Sequence, residues 1–376
     1  MERRWYSFTD DTRAKVRGSS AGRQDVSHEP QEELEESDPR VQEFLGPQWA
    51  RAAYQEFVVD SPEEFVRIAA RVNVSPRTAW RGQADASWAL TTELERDRDE
   101  TVIREIGLHT YESRILTEAR RRAHHHYADC PQPDDLLGWL AFLRHEGAPT
   151  RLLDVTWSPF VAAFFATSVE HDARDGAVWM FSQFHLSNGL HTALMKTEKP
   201  FFGDGAFGVV LDGYQPPTPE RNTPESRAVS RHDILSGDPL LLLALATRGM
   251  LAVHAVMLVE PGRWMSRRHD VQQGAFLVPL NLRSGSERNL AETIGHPMAQ
   301  PSDREVGPFP RDEKHISTVV GNAAVIKLRV LAAAKSKLRS LLEKMNVRAS
   351  VLFPDHHGFV MELRSLLPPK GTWPPG

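Results

Sequence analysis

The chain has 376 residues, with 45 lysines and arginines against 50 aspartates and glutamates, a formal charge of −5, and 40% hydrophobic residues. This is the profile of a soluble globular protein, long enough for about two domains or for one expanded domain. It excludes a global electrostatic grip on nucleic acid or anionic membrane, so any such binding needs a local basic surface.

The one cysteine, Cys130, excludes an intramolecular disulfide and a zinc site built on thiolates, and it fits a reducing cytoplasm. From Met1 to Trp5 and beyond, the N-terminus carries no apolar run of the signal-peptide kind. The apolar stretch Leu240 to Ala246 is broken by Thr247-Arg248-Gly249, far short of the roughly 20 residues a membrane span needs. A cytoplasmic protein without a membrane partner is expected.

Along the chain, residues 1–50 mix arginine-rich and acidic blocks with few core-building residues, which predicts a disordered charged tail. Order is expected to begin near Ser61. There Ser61 can cap a helix, Pro62 suits its first position and Glu64 completes a capping box, while Phe65, Ile68, Ala69 and Val72 share one face. A further helix is expected from about Tyr111. Strand-like runs follow at Ala177 to Phe181, Val253 to Val259, Ala275 to Val278 and Ala323 to Val330. Leu338, Leu341, Leu342 and Met345 then mark an amphipathic helix. Two stretches rich in Pro, Ser and charge, about 183–230 and about 283–321, read as loops inserted between elements. The irregular order of elements predicts an α+β domain rather than a regular βαβ series, and no Gly-rich phosphate loop is present.

Two short stretches hold the densest pattern. The first is Thr78-Ala79-Trp80-Arg81-Gly82-Gln83, followed by Trp88-Ala89-Leu90 and Glu93; the second runs from Leu143 to Ala166. Together they resemble the FRG domain family, whose Phe-Arg-Gly motif is here Trp80-Arg81-Gly82. The second stretch keeps that family's His-x-Gly-x-Pro-Thr-Arg-Leu-Leu-Asp-x-Thr frame and departs from the family at Arg144, Glu146, Ala148 and Val155. Further matches are Arg267-Arg268 leading to Gln272-Gln273-Gly274, and Val351 to Asp355. The resemblance implies one FRG domain over about 51–376, with a core of about 61–366.

The same residues have a physical reading. Ser158-Pro159 is a strong helix start, and Phe160, Val161, Phe164 and Phe165 supply its buried face. The N-terminus of that helix, beside Arg151, Thr156 and Arg81, suits a phosphate or carboxylate. Alternatively, Arg151 and Asp154 form a buried ion pair and Thr156 satisfies a turn. At Arg81, the flanking Gly82 lets a flat ligand or a backbone segment approach closely.

A looser resemblance is to the ADP-ribosyltransferase fold, which implies a split β core with flanking helices and NAD as ligand. In that family an arginine lies on the first strand. A Ser-Thr-Ser strand then runs into a Val-Ala-x-x-Phe-Ala helix, and a Glu-bearing segment enters a later strand. Arg81, Asp154-Val155-Thr156 before Val161 to Ala166, and Gln272-Gln273 before Ala275 look like these three elements. The resemblance implies Arg81, Gln83, Arg151, Thr156, Ser158 and Gln272 as NAD contacts. It further implies Arg81, Asp154, Thr156, Gln273 and His145 as the catalytic set. The third element departs from the family, because glutamine can bond a ribose hydroxyl yet supplies no negative charge. Asp154 is the candidate to supply that charge, and His145 could deprotonate an acceptor. The implied activity is cleavage of the nicotinamide–ribose bond, with ADP-ribose passed to a macromolecule or to water. The alternative is a non-catalytic module using the same cleft for a nucleotide, a nucleic acid or a protein.

Other signals are bland. His124-His125-His126 follow Arg120-Arg121-Arg122 on a predicted helix, where adjacent histidines cannot all reach one metal, so no metal is expected. Arg263, Arg267, Arg268 and His269 either steer a phosphate-rich partner or form an ordinary charged loop. His356-His357 and Cys130 have no context that marks them out.

Overall fold

The computed structural model describes residues 54–72, 77–96, 107–168, 173–197, 234–235, 237–260, 266–295 and 306–354, together with residues 358, 360, 361 and 363. The expected tail over 1–50, the Pro-rich stretch around Gln215 to Pro219, Arg263 and His356-His357 lie outside the described residues. Among the described residues, no helix is long and apolar enough to cross a membrane.

Eight strands form one mixed sheet in the order β5-β6-β3-β2-β4-β8-β1-β7. They are β1 (Gln55–Val59), β2 (Thr78–Gln83), β3 (Leu153–Thr156), β4 (Gly176–Ser182), β5 (Val256–Val259), β6 (Gly274–Pro279), β7 (Gly307–Pro308) and β8 (Val325–Val330). The fold is α+β. β1 runs parallel to β7 and β8, and the remaining pairings are antiparallel. Every residue of β4 is buried, as expected of a central strand covered on both faces.

One face packs against helices α1 (Pro62–Val72), α4 (Pro159–Ala166) and α10 (Ala332–Lys344), through Phe65, Ile68, Trp80, Ala162, Met180 and Leu338. Near β5 and β6 the covering elements are α2 (Leu108–Arg122), α3 (Leu136–His145) and α6 (Pro239–Thr247). α5 (Gln183–Lys196) and α8 (Ser286–Ile294) close the opposite face around Trp179, Phe181 and Leu277. The remaining helices are α7 (Arg267–Val271), α9 (Glu313–Asn322) and α11 (Ala349–Leu352).

α4 begins as its sequence predicts, with Ser158 Oγ accepting from the Val161 N–H at 3.3 Å and Pro159 in the first turn. It lies hard against the sheet because two glycines make room. A Cβ on Gly82 would sit 1.8 Å from the Ala162 carbonyl oxygen, and one on Gly176 would sit 2.2 Å from that of Ala166. The glycine of the Trp-Arg-Gly motif therefore admits a helix backbone.

Several expectations are corrected. Order starts before Ser61, because β1 precedes α1 and pairs along its length with β8. Ser61 Oγ accepts from the Glu64 N–H at 3.4 Å, but Glu64 turns its carboxylate to Arg67 at 2.9 Å instead of completing a capping box. The stretches read as loops hold α5 in the first, and α8, β7 and α9 in the second. Two of these helices carry side-chain caps: Ser182, at the end of β4, accepts from the His185 N–H, and Asp312 accepts from the His315 N–H. Val253 to Val259 is a strand only from Val256 onward.

Candidate functional site

The sheet is weakest between β2 and β3, which pair at one position, Trp80 with Thr156. Beyond that pair the register would set Gly82 against Asp154. Instead the Arg81 guanidinium reaches across, and its Nη1 donates to the Asp154 carbonyl at 2.6 Å. A side chain thus supplies the donor that a regular ladder would take from backbone, and it leaves a seam in the sheet. Arg81 Nε is buried there without a hydrogen-bond partner. Burial, together with the charges of Arg144 and Arg96, lowers the Arg81 pKa to about 10, against the opposing pull of Asp154 and Glu93.

Asp154 lies at the mouth of the seam. Its Oδ2 accepts from Arg144 Nε at 2.9 Å and from Arg144 Nη2 at 2.7 Å. Burial raises the Asp154 pKa, but Arg144 and Arg81 outweigh it and hold the carboxyl below its ordinary range. Arg144 Nη1 also stands 3.6 Å from Glu93, which Arg96 Nη1 contacts at 3.2 Å. Behind Asp154, the ring of buried His269 lies 6.0 Å from that of His145 and 5.3 Å from Phe276. Ser266, the cap of α7, holds His269 Nδ1 at 2.8 Å. Burial, with the charges of His145 and Arg268, drives the His269 pKa down to about 4 despite Asp154. Its imidazole is neutral at physiological pH.

The other end of β3 meets the turn before β6. Thr156 Oγ1 donates to the Gln272 carbonyl at 2.6 Å and accepts from the Ser158 N–H at 3.0 Å. The Trp157 N–H bonds the Gln273 carbonyl at 3.0 Å. Gln272 Nε2 is turned away to the Leu352 carbonyl at 2.9 Å. Gln273 is exposed and takes a positive φ of 50°, which turns the chain out of α7 and into β6.

The stretch that builds both sides of this seam can be compared with known families. Residues 76–175 match the family model of the FRG domain. The chain carries an FRG domain. No curated protein and no solved structure matches the chain.

Within and around the FRG domain, Arg81, Asp154, Thr156, Ser158, His145, Gln272 and Gln273 surround β3 and its two ends. Two other expected ligand contacts do not join them. Arg151 has no exposed side-chain surface and is paired with Glu112 of α2 at 2.6 Å. Its other donors face the carbonyls of Pro279, Leu280 and Ala246, so it ties α2, α6 and β6 to the start of β3. Its carboxylate partner is Glu112 and not Asp154. Gln83 is likewise consumed: it donates to the Ala89 carbonyl at 3.0 Å and accepts from Trp179 Nε1 at 2.6 Å.

Neither Arg96 nor Glu112 stands out in the sequence, and Arg267 to His269 are open there between steering a phosphate-rich partner and an ordinary charged loop. α7 places His269 beside Asp154 through its Ser266 cap, and a Ser three residues ahead of a His was the available signal. Nothing in the sequence distinguishes Glu112 from Glu118, the exposed acid of the same helix, apart from its position on the buried face with Leu108 and Leu116. The histidines 124–126 are exposed, on a short 3₁₀ turn after α2.

Proposed function

We propose that this FRG-domain protein binds NAD at the seam between β2 and β3 and cleaves its nicotinamide–ribose bond. Nicotinamide leaves with the electron pair of the glycosidic bond, and ADP-ribose passes to a macromolecular acceptor or to water. We read the full described sheet as one domain, since β6 and β8 pair directly with strands of the matched stretch.

One observation carries the reading. Three sequence elements far apart in the chain converge on adjacent strands: Arg81 on β2, the Thr156-to-Ser158 turn after β3, and Gln272-Gln273 before β6. In this arrangement Arg81 anchors phosphate or ribose, and Ser158 with the N-terminus of α4 orients the ligand end nearest Thr156. Gln273, exposed beside Thr156, is the side chain available to the ribose 2′-hydroxyl. Asp154 balances positive charge as the bond breaks.

A second reading, a non-catalytic nucleotide-binding module using the same cleft, is favoured by the engagement of Asp154 with Arg144 and by glutamine at the third element. Release of nicotinamide from NAD by the purified protein, lost in Arg81→Ala with its melting temperature unchanged, supports the catalytic reading. No release together with no NAD binding by calorimetry overturns both readings.

A further inference from the structure

The arginines at the seam already hold an anion. Arg96 Nη1 and Arg144 Nη1 both point at one oxygen of Glu93, at 3.2 and 3.6 Å. Arg81 completes the group, with its buried Nε lacking a partner. Among the described residues, three guanidiniums thus face two carboxylates, Glu93 and Asp154, and one positive charge is left over.

The two carboxylates are held differently. Asp154 takes two short bonds from Arg144 and is fixed on a strand opposite Phe276. Glu93 sits on a turn and meets each arginine through one contact, at 3.2 and 3.6 Å. It is the anion that can leave, since its single contacts are longer than the paired bonds from Arg144 to Asp154, and an exposed pair of this kind is worth about 1 kcal/mol or less. Its oxygen marks a point that two guanidiniums can reach, which is where planar donors would receive a phosphate oxygen.

We propose that Arg96 and Arg144, beside Arg81, form a subsite for the diphosphate of a nucleotide, and that Glu93 is its built-in occupant, displaced when the ligand enters. The identity of the ligand as a nucleotide diphosphate rests on the reading given under Proposed function. Glu93 thereby lowers the affinity of the site and rejects small anions that reach only one arginine.

The test is calorimetric titration of the full chain with inorganic pyrophosphate at low ionic strength. Glu93→Gln is expected to bind about fivefold more tightly than the wild type, and Arg96→Gln at least about fivefold more weakly, both with unchanged melting temperature. Glu93→Gln binding no more tightly than the wild type, or Arg96→Gln binding equally well, overturns the proposal. Nicotinamide release is measured separately. Its absence with the Glu93→Gln gain intact removes only the catalytic reading, and its presence without that gain removes only this subsite.

Discussion

Arg151 and Glu112 meet at 2.6 Å with neither side chain exposed, and the same carboxylate also accepts from the Arg151 backbone N–H at 3.0 Å. The Arg of the Pro-Thr-Arg-Leu-Leu-Asp frame is therefore an internal tie that fixes where β3 starts. Removing one partner strands a buried charge, which costs about 3–5 kcal/mol. Arg151→Met and Glu112→Gln are each expected to lower the unfolding free energy by that amount, read from urea denaturation. A stable Arg151→Met protein that had lost only ligand affinity would return this arginine to the binding site.

Gly82 is fixed by the backbone of α4. A methyl group placed 1.8 Å from the Ala162 carbonyl oxygen would have to push the helix off the sheet. Gly82→Ala is expected to cost about 3 kcal/mol or more, read as a lower thermal midpoint or as insoluble expression. The neighbouring Arg81→Ala exposes no such clash, so the two halves of one motif separate experimentally into packing and binding.

His269 makes stability depend on pH in a definite window. Its folded pKa of about 4 lies below the ordinary 6.5, so folding favours the neutral ring. The contribution is complete above pH 6.5 and is lost as the pH falls towards 4, amounting to about 3 kcal/mol in all. Urea midpoints measured between pH 7 and pH 4.5 should fall in the wild type and change much less in His269→Gln. Equal slopes would show that the imidazole is not held neutral. Asp85, whose pKa is lowered to about 2 by Arg174 and Ser87 against burial, acts only below about pH 4, whereas His109, whose pKa burial also lowers, adds a fall in the same window that His269→Gln leaves in place.

Gln272 and Gln273 differ in what a carboxylate would do at each position. Gln273 is exposed and its side chain makes no bond to another described residue, whereas Gln272 donates to the Leu352 carbonyl and ties α7 to α11. Under the catalytic reading, Gln273→Glu should raise nicotinamide release by about tenfold, because a negative charge then faces the developing cation. Gln272→Glu should instead cost about 1–2 kcal/mol of stability, since it sets a carboxylate against a carbonyl. The opposite pattern would assign the ribose contact to Gln272.

Much of this was legible before any coordinates. The α+β class, the FRG motifs, the Ser158-Pro159 start of α4 and the amphipathic α1 and α10 follow from local rules of capping, spacing and apolar periodicity, which act within a few residues along the chain. Arg81, Asp154 and Thr156 stand out in the sequence because their motif fixes their order and spacing. The tertiary structure decided the partners. In the sequence Arg151 reads as a ligand contact or, alternatively, as the partner of Asp154 three residues away, yet its partner lies on α2 and that of Asp154 on α3. The helices in the stretches expected to be loops also depend on it, because α5 and α8 gain stability by burying Leu186, Leu290 and Ile294 against the sheet. Burial and ion pairing are settled by which surfaces meet across the fold, and separation along the sequence carries no information about that.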